Sequence, residues 1–202
     1  MDIELQDLLE DGDGYIEGVD AGGVSFGGPE WHGLRILDSR FVDADLDGAK
    51  LTGCGLVDVR FEGARASEVA MVKSSLQDVT IAGSRIGAAQ AYGGRWTRVR
   101  IDGGKIDYLN LRGASINRLE IDRAVVGELD LSEAKVEVLN FVGATVGKVI
   151  LTGASMKRVD LRGAQLQGLE SDPTSLKGVI LSGEQVTDLA PVLADILGIK
   201  VV

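Results

Sequence analysis

The chain holds little of the chemistry from which active centres are made. Among its 202 residues there is one cysteine, Cys54, and one histidine, His32. A single cysteine excludes an internal disulfide framework and any multi-cysteine metal site, and a single histidine removes almost every histidine-based ligand set or catalytic triad. No apolar run approaches the ~18 residues of a membrane span, and the opening MDIELQDLLEDGDG is acidic where a secretory signal would be basic. A cytoplasmic protein that makes no use of a membrane is expected. Bases are missing altogether before Arg35, whereas nine acids precede it: Asp2, Glu4, Asp7, Glu10, Asp11, Asp13, Glu17, Asp20 and Glu30. The net charge of −10 therefore sits in this leader, since from Arg35 onward 22 acids face 21 bases.

Glycine and aliphatic residues are plentiful. The 28 glycines are about twice the usual share, while prolines number only 3, so the excess marks repeated bends and not a low-complexity linker. With 45% apolar residues the chain suffices for one domain with a substantial core. Every fifth residue from Ile36 to Leu166 is apolar, 27 in succession. At this composition such a run has a chance on the order of one in a billion.

Two residues before each of these lies a second uncharged column, from Cys54 and Val59 through Ala114 and Leu119. Two inward positions two residues apart describe a short extended segment. Five is odd, however, and unbroken alternation would throw each successive pair to the opposite face, so a bend in every repeat must reset the phase. A chain that bends the same way every five residues winds into a coil whose turns stack at ~4.8 Å.

The pentapeptides ADLDG (44–48), AKLTG (49–53), ASMKR and AQLQG resemble the A-(D/N)-L-x-x unit of the pentapeptide-repeat proteins. The resemblance covers roughly residues 24 to 183 and implies an all-β fold, a right-handed quadrilateral parallel β-helix with 20 residues per coil, hence nearly seven coils and a rod roughly 30 Å long. Three segments are expected: an acidic N-terminal cap over 1–23, the pentapeptide-repeat β-helix over 24–183, and a capping or dimerisation helix with a short tail over 184–202. Phe26, Trp31, Leu176 and Leu181 keep the register and would lengthen the rod. A finer period of ten places small residues at every second leading position. In Gly113-Ala114, Gly143-Ala144, Gly153-Ala154 and Gly163-Ala164 a glycine precedes the small residue, where a corner with positive φ is expected.

Ser171 stands where an apolar residue is due and Pro173 follows closely, so regular winding should falter at SDPTS. Beyond it, EQVTDLAPVLADILG reads as a helix with Thr187 or Asp188 as N-cap, Pro191 in the first turn and Gly198 as stop. Its apolar set is Leu189, Val192, Leu193, Ile196 and Leu197, followed by Ile199, Val201 and Val202. This exceeds what one capping contact demands, and the resemblance to dimeric family members favours a lid that also forms a two-fold dimer.

Candidate chemistry is sparse. EDGDGYIEGVD has calcium-loop spacing at Asp11, Asp13, Gly14, Ile16 and Asp20, but its first ligand position is Leu9 and no helix signal follows. A solvated acidic turn is expected there, and no metal or cofactor. Cys54 falls in an inward small-residue slot and reads as a packing thiol; His32 beside Trp31 reads as cap packing, and Trp96 as core filler with room from Ala89, Ala91, Gly94 and Gly104.

Sorting charge by face over a 20-residue coil singles out the side centred on Ile36, Leu56, Leu76, Trp96, Ile116, Val136, Met156 and Leu176, whose net charge is +4. Its cations Arg95, Arg98, Arg118, Lys135, Lys157, Arg158 and Lys177 form a stripe suited to an anionic partner surface, or to solubility alone.

A rod filled by its own side chains offers no cleft, so a non-catalytic, rigid protein-binding scaffold with an unknown partner is expected, and no enzyme. Some pentapeptide-repeat proteins resemble duplex DNA in width and charge, bind DNA gyrase, a type II topoisomerase, and protect cells from fluoroquinolones; this is the alternative that the resemblance implies. Such mimicry needs a sustained negative surface, which a nearly neutral body with one positive face does not supply. Direct nucleic-acid binding is not expected.

Overall fold

The computed structural model describes residues 3–9 and 14–201. Parallel strands pair with a step of 20 residues along the whole rod, from Tyr15 against Arg35 to Val159 against Val179. A twelve-stranded sheet wraps two adjacent sides through the segments 15–22, 35–42, 55–62 and their successors. A seven-stranded sheet, beginning at Arg65–Ala70, wraps the other two. The result is a parallel β-solenoid of about nine coils, about 40 Å long at the usual strand spacing.

The extra coils come from the acidic segment. Tyr15–Glu17 and Asp20–Gly22 already pair with Arg35–Val42, and Trp31–His32 pairs with Leu51–Thr52. The five-residue step runs back through Trp31, Phe26 and Ala21 to Ile16, with Ile16 and Phe26 fully buried. Before that the register slips: Ile3 pairs with Val24, a step of 21, and a 3-10 turn at Leu5–Leu8 buries Leu5 over the open end.

All of the apolar column from Ile36 to Leu166 is buried except Met156 and Leu166, which are half-buried near the C-terminal end. Phe26, Phe41 and Phe61 form one aromatic cluster, with centroids 5.1 to 5.7 Å apart. Trp96 is fully buried beside Gly94 and Ala91, so it fills the interior as its neighbours' small size suggests. Cys54 is also inside; its thiol points at the Trp31 carbonyl at 3.4 Å, and burial pushes its pKa up.

The phase is reset by one residue per corner dropping out of the pairing. Asp38 and Asp58 do so at one corner, and Gly87, Asp107 and Gly127 at another. The same consequence follows from two geometries. Asp38, Asp58, Asp78 and Arg98 take the left-handed conformation, with φ of 45 to 57°, without being glycine. At Gly87 φ is not positive, but a Cβ would stand 2.4 Å from the Ser67 carbonyl oxygen of the coil below. Gly113, Gly143 and Gly153 have positive φ as expected, whereas Gly163 does not. Its turn closes through Ala164 N–H donating to Leu161 O, and close approach to the Phe141 carbonyl is what excludes a side chain there.

Three inward serines solve a problem that corners create. A residue leaving the ladder strands its N–H in a dry interior, where it must find a partner. Ser74 Oγ accepts from Cys54 N and donates to Leu51 O; Ser84 accepts from Ala64 N, and Ser39 from Val19 N.

Winding falters where expected. Residues 173–178 form turns, and Asp172 gathers their amides, accepting from Thr174 N, Ser175 N and the Ser175 hydroxyl as well as from Gly153 N one coil below. The C-terminal helix begins earlier than Thr187. Helix α1 spans Gly183–Asp188 with Ser182 as N-cap, in a reciprocal capping box with Gln185, and α2 spans Ala190–Ile196 with Pro191 in its first turn. Ser182 wins because Gln185 also donates to Leu161 O at 2.6 Å and Ala164 O at 2.8 Å, tying the first turn to the last complete coil.

Candidate protein-interaction surfaces

Outward side chains inherit the register of the ladder, so each occupies a straight column along the rod. The column Arg95, Ser115, Lys135, Ser155 follows directly from the pairing, as does Arg118, Val138, Arg158. These columns bring four of the seven stripe cations onto one side, with Lys157 next to Arg158 in the strand Ser155–Asp160 and Arg98 between the strands Arg95–Thr97 and Val99–Asp102. Lys177 lies in the turn after Asp172, beside Gly178, whose backbone packs over the carbonyls of Met156 and Lys157. It therefore ends the stripe without continuing the ladder.

The seven are not equivalent. Arg98 is held in a two-pronged ion pair by Asp78 at 2.5 Å, which raises the arginine pKa and lowers that of the aspartate. Arg118 lies 3.7 Å from Glu120. Arg95, Lys135, Lys157, Arg158 and Lys177 are exposed and have no carboxylate within ion-pair distance among the described residues.

The adjacent side, around the columns of Arg40 and Glu62, behaves oppositely. Arg40 bonds Asp20 and Glu62, Arg60 also bonds Glu62, and Arg100 reaches Asp102, Glu120 and Asp122. Arg123 bonds Asp102 and Asp122, and Arg162 bonds Asp160. Hydrogen bonds from Arg40 and then Arg60 hold the Glu62 carboxyl down at about 2. Asp122 is nearly enclosed by its arginines, one oxygen lacking a partner. On this side cations and acids neutralise one another within the molecule.

At the C-terminal end the apolar set divides. Leu189 is buried in the chain's own core, Val192 and Leu193 pack against it, and Ile196 is half-buried. Leu197, at 56% exposure, faces outward together with Val186, Ile199 and Val201. Val186 was hidden from sequence reasoning because it precedes the expected helix start. Val202, Asp11 and Asp13 lie outside the described residues. Of the calcium-loop positions that are described, Ile16 points inward and Asp20 bonds Arg40. His32 is exposed, 3.7 Å from Glu30. Among the described residues no three His, Cys, Asp or Glu side chains gather as metal ligands, and no helix is long and apolar enough to cross a membrane.

A stack of short parallel strands turned every five residues defines a quadrilateral β-solenoid. The family model "Pentapeptide repeats" matches it in 8 copies, over residues 39–81 and 140–170, so the chain carries pentapeptide repeats in those two stretches. Among solved structures, a trypsin-treated form of QnrB1, a plasmid-mediated fluoroquinolone resistance protein, is 19% identical over 93% of this chain and 100% of that one, with a TM-score of 0.46. A second trypsin-treated form is 20% identical over 92% and 99%, with a TM-score of 0.35, and full-length QnrB1 is 17% identical over 89% and 99%, with 0.26. No curated protein matches the present chain.

Proposed function

We propose that this protein is a non-catalytic, rigid scaffold that binds another protein through its outward columns, in the cytoplasm. The observation that carries the reading is the interior: apolar side chains fill it from Ile16 to Leu169, leaving the surface columns as the place where recognition would occur. Rigidity follows from the continuous ladder, because preformed columns meet a partner without an ordering cost. Capture with the tagged protein under crosslinking tests this. A specific partner absent from a similarly charged control solenoid is expected, and retention of nothing beyond the control overturns the reading.

The exposed end formed by Val186, Leu197, Ile199 and Val201 supports a homodimer in which α2 covers its twin, Leu189, Val192 and Leu193 serving its own core and Ile196 and Leu197 the seam. Leu197→Asp combined with Ile199→Asp should convert a dimer to a monomer in sedimentation velocity, with the fold retained. A monomeric parent protein refutes the seam.

Mimicry of DNA before a type II topoisomerase fits the surface less well. The acids beside Arg40 and Arg100 are already neutralised, and the neighbouring side is positive. No inhibition of gyrase supercoiling, and no protection from a fluoroquinolone, is expected at micromolar protein; either effect would reinstate that alternative.

A further inference from the structure

From the contrast between the two adjacent sides we infer that the five unpaired cations, Arg95, Lys135, Lys157, Arg158 and Lys177, are the docking stripe for an acidic protein segment lying along the C-terminal half of the rod. The inference rests on the scaffold reading and names the partner's chemistry.

Three observations support it. First, arginines one column away are consistently tied to Asp or Glu, whereas these five have no such partner among the described residues. Their charge is therefore available, Arg158 alone feeling a carboxylate, Asp160, by a Coulombic attraction beyond ion-pair distance, and a surface cation outside an ion pair gives up none on binding. Second, pairing places Arg95 and Lys135 two coils apart in one column, with Arg158 in register with Val138 on the next coil. Positive charge then recurs along the axis every ~5 to ~10 Å, the spacing of same-side carboxylates on an extended strand or successive turns of a helix. Between Arg95 and Lys135 runs a shallow groove lined by Thr97, Ser115, Ile116, Asn117 and Glu137; Asn117 Nδ2 donates to Glu137 Oε2 at 2.7 Å, and the Thr97 and Ser115 hydroxyls remain to meet carboxylates and peptide groups beside the two cations.

Third, the stripe is narrow. Glu120, Asp122 and Asp160 flank it across one edge, and Glu133 and Asp172 across the other. A duplex nucleic acid, wider than one side of the rod, would lie over these carboxylates and be repelled, as the net charge of −10 also implies. A single acidic protein segment fits between them.

The test uses the full chain and a fluorescent peptide of about twelve residues, rich in Asp and Glu with alternating Ala, read by anisotropy. Binding is expected to weaken steeply from about 50 to about 300 mM NaCl. The triple reversal Lys135→Glu, Lys157→Glu and Lys177→Glu should weaken it at least about tenfold. Arg65→Glu, Arg85→Glu and Lys105→Glu make the same change in net charge on another side of the rod and should alter binding less than about twofold. Unchanged circular dichroism in both variants shows that the rod is intact. Equal loss in the two variants, no loss in the first, or tighter binding of a labelled DNA duplex than of the peptide each overturns the inference. A partner captured in the scaffold experiment and held equally well by the first variant overturns the stripe while leaving the scaffold standing.

Discussion

The middle of the rod and its last coil close their backbones by different means. In the middle, each strand's N–H and C=O groups meet the coils above and below, and only stranded corner amides need a side chain such as Ser74 or Ser84. At the C-terminal end there is no next coil. There, Gln185 donates to Leu161 O and Ala164 O, and Asp172 accepts from Gly153 N, so two side chains stand in for a missing strand. Nearest-neighbour stacking makes the middle redundant but leaves the end dependent on particular atoms.

Breaking the comparison at its strongest point means damaging the middle. Trp96→Ala removes the largest buried side chain from a coil whose neighbours are Gly94 and Ala91. It should cost about 4 kcal/mol in chemical denaturation, with faster amide exchange centred on the coils of Leu76 and Ile116 and spreading little further. Gln185→Ala comes next, at about 2 kcal/mol, because two buried carbonyls lose their donor. Its exchange signature should stay within residues 155–196, and Gln185→Glu should be worse, a carboxylate having nothing to donate. Protection lost throughout the rod in either Gln185 variant would contradict the division drawn here. Ser182→Ala should cost about 1 kcal/mol by loss of the N-cap, again confined to the end.

Acid sharpens the comparison most gently. Glu62 is held at about 2 by Arg40 and Arg60, and the Asp172 carboxyl lies below the ordinary range, chiefly through the Gly153 amide and the Ser175 hydroxyl. Both folded pKa values lie under the unfolded ones, so their stabilisation is complete above about pH 4.5 and is lost as pH falls toward 2. Melting temperature should therefore fall over that window. Asp172→Asn should flatten the part of the fall reported by C-terminal probes, and Glu62→Gln the part reported near Arg40, and each should lower the melting temperature most at pH 7 to 8, where the ionised carboxyl contributes in full, and least near pH 2.

Much of this architecture is written in a period of five, because an interior only two side chains deep per repeat leaves no latitude at those positions. The N-terminal coils obey the same step through Ile16, Ala21, Phe26 and Trp31, but a dense run of acids obscures it. Corners are harder to read. Asp38 and Asp58 adopt left-handed backbone without glycine, while Gly163 is needed for clearance and not for its φ. The buried hydroxyls of Ser39, Ser74 and Ser84 are invisible as hydrogen-bonding devices until the stranded amides are located. Of the charged stripe, the side was legible from spacing alone; which cations are already engaged was not, since Arg98 finds Asp78 twenty residues away and Arg118 finds Glu120 around the edge.

A uniform step of 20 residues makes the molecule a ruler graduated in storeys. Excising one whole storey, such as residues 96–115, would set Ile116 directly over Leu76 and shorten the rod by about 4.8 Å with every inner wall still facing inward. Removing 19 or 21 residues would instead turn the walls inside out from the cut onward. Length in such a protein can change only in whole graduations, so the distance between its two ends is quantised.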